Sequence, residues 1–225
     1  MMAGLTTVVA PQMAPISISD ASDYLRIDHG VDSSFLGLMI DGAVDYVEAY
    51  TNRSMINRTL KYSIDYIDEL DYPLHDGFSV GPDLYYRNTY LNLPRPPVSS
   101  VTHIKFFDDA DTENTFSTDK YYLDNQREPA RVKLRRGEVW PTALRVSNAI
   151  EVTYVSGYGD TSADVPAQLR LAMLQYIAFI YENRGDSITE GARIATVPQA
   201  IRTMLDPFRV RSLSRNPFDV TTEYL

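Results

Sequence analysis

The chain has 225 residues with 16 tyrosines, no cysteine and a formal net charge of −9 at pH 7. That length supports one substantial core, burying roughly 70% of the unfolded surface. The charge argues against a surface built to grip nucleic acid, and the lack of cysteine removes disulfides, thiolate metal sites and cysteine nucleophiles together. A protein past which DNA slides stays open, because like-charge repulsion would help it. The opening MMAGLTTVVAPQMAP has no basic n-region and only a broken apolar run, so it does not read as a secretory signal. No apolar stretch is long enough to span a bilayer. The expectation is a soluble chain made in the cytoplasm, with no membrane partner.

Residues 1–15 are small, apolar and punctuated by proline, which suits an arm or an edge strand rather than core. Ser17, with Asp20 three residues on, resembles a capping box and opens a short helix through Tyr24 and Leu25, ended by the turn Asp28-His29-Gly30. Asp32 is placed to cap a second helix, whose inner face the spacing assigns to Phe35, Leu38, Met39, Gly42, Ala43, Tyr46, Val47 and Tyr50. Asn52 stands where a left-handed, helix-ending residue is expected. The period then changes to two: Leu60, Tyr62, Ile64 and Tyr66 alternate with Lys61, Ser63 and Asp65, a half-buried strand. From Asp68 to Tyr90 the chain is rich in Asp, Tyr, Gly and Pro without a sustained period, a long loop or hairpin excursion. Beyond Leu91-Asn92-Leu93 and the rigid Pro94-Arg95-Pro96-Pro97, strands are predicted at Val98–Phe107, Lys120–Leu123, Ala130–Leu134 and Ala149–Val155. Their short spacing and polar turns describe an antiparallel unit.

Gly157-Tyr158-Gly159 is the joint leading into the stretch that organises the chain, DVPAQLRLAMLQYIAFIYENRGD at 164–186. Asp164 can cap, Pro166 can occupy the first turn, and Gly185 supplies a left-handed exit after Arg184. Leu169, Ala172, Met173, Tyr176, Ile177, Ile180 and Tyr181 fall on one face. Leu171, Leu174, Ala178 and Phe179 carry apolar surface over the flanks, leaving Gln168, Gln175 and Glu182 as a narrow polar strip. A helix of about five turns, apolar on nearly every side, must be covered on nearly every side. Either it is the central rod of its own domain or its outer flank meets another protein, and periodicity leaves both open. Pro198 starts a last short helix with Ile201, Met204 and Leu205, stopped by Asp206-Pro207. The expected fold class is α+β. Its segments are an arm (1–15), a helical pair (16–56), an inserted antiparallel β domain (57–160), C-terminal helices, one long and one short (161–207), and a tail (208–225).

Candidate chemistry is thin. The run Asp108-Asp109-Ala110-Asp111-Thr112-Glu113-Asn114 begins like a calcium loop, but it lacks the sixth-place glycine, and Lys120 stands where the bidentate Glu belongs. It reads as a solvated hairpin turn. His29, His75 and His103 are scattered, with no convergent spacing for metal or acid–base work. Asp68, Glu69 and Asp71 are the one cluster that offers paired carboxylates for a hydrolase. No phosphate cradle or nucleophile elbow is present, and no cofactor or metal is expected. The tyrosines concentrate at 62–90 and 121–122. Tyr72, Tyr85, Tyr86 and Tyr90 are candidates for an interface, because the ring buries while the hydroxyl stays wet. Sheet packing is the alternative. The tail arginines Arg209, Arg211 and Arg215 suit a segment that orders on an acidic partner.

Several stretches, in order, resemble one family: the head–tail connector, or adaptor, proteins of tailed double-stranded DNA bacteriophages and related gene transfer agents. They are PISISDASDYLRID at 15–28, VEAYTNRSMI at 47–56, LNLPRPPVSSVTHIKFFD at 91–108, Trp140-Pro141, IEVTYVSGYGD at 150–160, VPAQLRLAMLQYIAFIYENRGD at 165–186 and VPQAIRTMLDPFR at 197–209. Asn52 stands where the family usually has glycine, and the 68–90 excursion is longer than typical. The resemblance implies a non-enzymatic virion protein that forms a ring, usually of about twelve copies in a closed heterologous arrangement. Such a ring sits below the portal in the neck, extends the DNA channel and docks a stopper or tail-completion protein, with DNA passing the lumen unbound. On that reading Leu171, Leu174, Gln175, Ala178, Phe179 and Glu182 face ring neighbours. Phe208, Arg209, Arg211, Arg215, Phe218 and Tyr224 dock on the portal, by strand addition or helix insertion. A tail-associated receptor or carbohydrate binder and a carboxylate-based hydrolase are the alternatives.

Overall fold

A computed structural model of the chain describes residues 4–27, 33–65, 90–183 and 197–210. In chain order its elements are β1 (Gly4–Val9), α1 (Ile18–Leu25), α2 (Ser33–Thr51), β2 (Arg58–Ile64), β3 (Tyr90–Asn92), β4 (Val98–Phe107), β5 (Glu113–Phe116), β6 (Tyr121–Asp124), β7 (Arg131–Leu134), β8 (Ile150–Ser156), α3 (Ala167–Glu182) and α4 (Gln199–Leu205). The class is α+β, with every strand but β1 between two pairs of helices.

Local chemistry sets the helix ends. The Asp20 N–H donates to Ser17 Oγ at 3.0 Å and the Ser17 N–H donates to Asp20 Oδ2 at 3.2 Å, both halves of the capping box. α1 ends on Arg26 in a left-handed conformation (φ 57°), earlier than the predicted turn, whose residues 28–30 lie outside the described set, as does Asp32. Asn52 closes α2 with φ 55°, the left-handed exit expected of it. The buried face of α2 differs from the predicted one. Leu36, Met39, Ile40, Ala43 and Val47 are buried, while Leu38 is 67% exposed and Phe35 38% exposed, with Gly42 open beside them. Apolar residues occupy two faces of this helix, so spacing alone does not select the phase; packing against α3 does.

The strands form a five-stranded sheet, β1-β2-β8-β4-β5, and a three-stranded sheet, β3-β7-β6, with every pairing antiparallel. β1 is an edge strand with all six residues exposed, held only along β2. β3 and β5 were not anticipated, and the acidic run supplies both the β4–β5 turn and the start of β5. In that turn Asp108 Oδ1 accepts the Ala110 and Thr112 N–H groups, each at 2.9 Å. Register stacks Phe116 and Val152 on either side of Ile104, and Leu60 beside Tyr154. With Leu91, Leu93, Val132 and Trp140 these side chains fill a core between the sheets, where Trp140 stacks on Phe116 at 5.1 Å.

A second core lies among the helices: α3 touches α1, α2 and α4, and its Leu169, Ala172, Met173 and Ile177 meet Leu36, Ile40, Ala43, Val47 and Ile201. The two cores join where α2 ends. Glu48 Oε1 accepts the Met55 N–H at 2.9 Å and the Arg58 guanidinium at 2.5 Å. Arg95 reaches from the proline-rich turn to the Glu48 and Arg53 carbonyls at 3.0 and 3.3 Å. Arg53 grips the Glu128 carboxylate with both terminal nitrogens. The predicted joint returns through the same place, with Asn57 N–H on Gly159 O (2.9 Å) and Tyr158 N–H on Met55 O (3.1 Å).

Gly157 sits there at φ +148°, where a Cβ would lie 2.4 Å from the Asn57 nitrogen and 2.5 Å from the Ile56 carbonyl carbon. Backbone cannot yield as a side-chain tip can, so Gly157→Ala should lower unfolding free energy by about 2–3 kcal/mol in urea titration. Burial holds the Glu48 carboxyl above its ordinary range, outweighing the Met55 N–H and the Arg58 and Arg95 charges that pull it down, with Asp45 adding to the rise. A raised acid favours the protonated folded state. Its contribution to stability is therefore full below the unfolded value near 4.5 and is lost as pH rises through the folded one. Glu48→Gln should remove that part of the pH slope, read from urea midpoints between acidic and neutral pH.

Candidate functional site

The surface of interest is built on α3. Thr161 caps a short 3-10 turn, Ser162–Asp164, and the Asp164 carboxylate accepts the Thr161 N–H at 2.9 Å and its hydroxyl at 2.8 Å. Those bonds, the hydroxyl first, hold the exposed Asp164 carboxyl below its usual value. Asp164 thus caps the approach rather than α3 itself, and Pro166 sits one residue ahead of the first helical residue, Ala167. α3 ends at Glu182, with the proposed exit at Arg184 and Gly185 outside the described residues.

Around α3 the burial is one-sided. Leu169, Ala172, Met173 and Ile177 are closed off completely, and Leu171 on the opposite side is 42% exposed. Leu174, Gln175, Ala178 and Phe179 are half-buried and Glu182 is exposed. Gln168, at the head of the polar strip, is engaged: its Nε2 donates to the Met204 carbonyl at 2.9 Å and ties α3 to α4. Among the described residues, the chain therefore does not wrap this rod on every side. Its edge toward α2 is an aromatic seam in which Tyr176 stacks on Tyr46 at 4.3 Å with the rings 5° apart, Tyr46 on Tyr50 at 6.1 Å, and Phe179 lies 6.4 Å from Tyr176. The sequence placed Tyr46 and Tyr176 on inner faces but carried no sign that they meet.

The start of the tail is strapped to the end of α2. The Val210 N–H donates to Thr51 O at 2.9 Å, and Arg53 Nε to the Phe208 carbonyl at 2.5 Å. Tyr50 donates its hydroxyl to Asp206 at 2.6 Å, a bond that holds the phenol above its ordinary pKa, and Arg209 lies 5.3 Å over the same ring. Phe208 packs partly against the helical core, and Arg209 is exposed. Arg211, Arg215, Phe218 and Tyr224 fall outside the described residues, as do Tyr72, Tyr85 and Tyr86. Tyr90 opens β3 half-buried, with the Arg131 guanidinium 5.1 Å from its ring.

Other chemistry does not assemble. Among the described residues no group of three His, Cys, Asp or Glu could hold a metal ion. His103 stands alone on β4, while His29, His75, Asp68, Glu69 and Asp71 lie outside the described set. No helix of the described residues is long and apolar enough to cross a membrane.

No protein-family model matches the chain, and no curated protein does. Solved structures do. A chain in the neck of the empty gene transfer agent (GTA) particle, computed with C6 symmetry, superposes with a TM-score of 0.71 at 20% identity, covering 95% of this chain and 98% of that one. A chain in the neck of the native particle, computed with C12 symmetry, gives 0.67 at 20% identity over 95% and 98%. One in the virion of the native particle gives 0.67 at 20% identity over 93% and 97%. The fold is one found in gene transfer agent necks. At this identity the likeness establishes the neck fold over nearly the whole chain, helices and β domain together.

Within that neck fold, the inner and outer sides of α3 should respond differently to truncation. Leu171→Ala should cost a lone copy no more than about 1 kcal/mol, since 42% of that residue stays exposed. Tyr176→Ala, which removes a ring stacked between helices, should cost about 2 kcal/mol. Urea unfolding of dilute protein measures both, and equal losses would mean the outer flank is enclosed after all.

Proposed function

We propose that the chain is a structural, non-enzymatic virion protein: a head–tail connector, or adaptor, that forms a ring in the neck below the portal. It extends the DNA channel and docks a stopper or tail-completion protein. The observation that carries this is the partly open outer side of α3, exposed Leu171 beside half-buried Ala178, in a fold that also occurs in a neck computed with C12 symmetry. In a closed ring each copy presents one patch and receives a different one, so an outer flank uncovered in one copy is sheltered by the next. Twelve copies is the number we propose, in keeping with that symmetry.

The other parts support the same reading. The net charge of −9 suits a lumen that DNA passes without sticking. The tail from Phe208 leaves the end of α2 with Arg209 exposed, and the arginines beyond it suit docking on an acidic portal surface. The 68–90 excursion offers further tyrosines to a partner. The protein is made in the host cytoplasm and resides in the particle neck.

Mass measurement on the purified protein, alone and mixed with the portal of its own particle, tests the proposal. A ring mass is expected in at least the second case. Leu171→Glu or Ala178→Glu should reduce ring formation about tenfold or more while leaving a folded protomer, because a carboxylate would have to be desolvated in the contact. A monomer that never associates with portal rings overturns the reading.

A further inference from the structure

The cations of this acidic chain are not spread evenly. β7 runs through the middle of the three-stranded sheet, and its alternate residues divide between faces: Val132 turns fully into the β core, while Arg131 and Lys133 take the outer side. Register puts Tyr90 and Tyr122 directly across from Lys133 on the two flanking strands. Tyr122 is 42% exposed. Arg135 and Arg136 follow β7, exposed, and Arg127 precedes it, exposed as well. Arg131 is occupied by Asp124 at 2.8 Å and by the Tyr90 ring. Among the described residues, no carboxylate lies within ion-pair distance of Arg127, Lys133, Arg135 or Arg136.

A face of uncompensated cations and exposed tyrosine fits an acidic protein surface better than duplex DNA. Tyr and Arg are the residues that carry binding energy between proteins. A duplex keeps its bases stacked, so it offers these rings no base face, and the remaining attraction would work against the net charge of the whole chain. The acidic protein that a ring places next to every copy is another copy. Its uncompensated acids include Asp41 and Asp45, one turn apart on the exposed side of α2, with no cation of the described residues paired to either. They border a groove of about 520 Å³ between α2 and residues 11–15, lined by Met13 and Val44 and by Arg58, whose charge is taken by Glu48.

We propose that the outer face of the β3-β7-β6 sheet docks on the Asp41–Asp45 side of α2 in the neighbouring copy. The contact is heterologous, β domain onto helices, and it rests on the ring reading above while adding a second contact to the α3 flank. Opposed patches of this kind act mainly on encounter rate and on register, so the association is salt-sensitive.

The test is association of the full chain, alone and with its portal, by mass measurement at low and high salt. Lys133→Glu with Arg135→Glu and Arg136→Glu should weaken it about tenfold or more at low salt, as should Asp41→Lys with Asp45→Lys. The chain carrying all five changes should recover. The neutral set K133Q/R135Q/R136Q, whose fold is checked by circular dichroism, should weaken association less and leave it insensitive to salt. Unchanged association of the sheet variant, or no recovery in the five-fold variant, overturns the contact. So does duplex DNA binding by the wild type that the sheet variant alone loses. If Leu171→Glu abolishes the ring while both charge reversals leave it intact, the inference fails and the ring stands; if the wild type never assembles with portal, both fall.

Discussion

Two hydrophobic cores share this chain, and the charged clasp at the end of α2 fixes one against the other. Taking Glu48, Arg53 and Arg58 out of water costs several kcal/mol each before any partner is counted. Two of them are multiply engaged, Glu48 by a backbone N–H and a guanidinium and Arg53 by a carboxylate and the Phe208 carbonyl, while Arg58 is held by Glu48 with its Nε left without a partner. An apolar seam of equal area would stabilise at least as well. What the clasp adds is direction, since a guanidinium fork meets a carboxylate in one plane and at one distance. Arg95 extends the same logic to the backbone, reading the carbonyls of Glu48 and Arg53 from the proline-rich turn, while the Tyr154 hydroxyl reaches back to Pro94.

That direction matters to the proposed ring, in which the outer flank of α3 would serve only if its attitude is fixed. One exposed leucine is ordinary on any protein. A row of half-covered apolar residues on one side of a helix whose other side is closed off is not, and it lies beside an aromatic seam that locks α3 to α2. The clasp stands at the far end of α2 from Phe35, so it carries the orientation of this helix pair into the β domain. A tilt of a few degrees between the halves, repeated around a ring, would prevent closure.

Sequence alone reached the local devices and stopped where distant parts choose between alternatives. The capping box at Ser17 and Asp20 and the left-handed Asn52 are decided within four residues, and both formed as read. Alternation found β2, and short spacing between polar turns found β4, β6, β7 and β8. β3 is three residues long and β5 buries only Phe116, so neither carries a period. The phase of α2 was missed because Leu36 and Ile40 compete with Phe35 and Leu38, and the arbiter is Tyr176 stacking on Tyr46 from the other end of the chain. The open side of α3 was legible as an excess of apolar surface. Which of two covers it takes was not, since that depends on where α1, α2 and α4 pack. The clasp has no local signature at all: Arg53, Arg95 and Glu128 are ordinary surface residues until the fold brings them together.

In the proposed ring around DNA, a net charge of −9 would pull in two directions. It would keep the duplex from adhering, and it would set every copy against its neighbours. The conflict is resolved by range. At physiological ionic strength charges more than about 8 Å apart across water are largely screened, so the sum over the chain matters little once two copies touch. What acts at contact is the local arrangement. Gathering Arg127, Lys133, Arg135 and Arg136 around one sheet, and leaving Asp41 and Asp45 unpaired on a helix of the other half, allows opposite charges to meet within that range. An even mixture of the same residues would give the same net charge and no preferred orientation. On the proposed contact, charge sorting between the two halves would let one acidic chain repel a polyanion and still cohere with copies of itself, provided the halves are held rigidly enough for the patches to face each other.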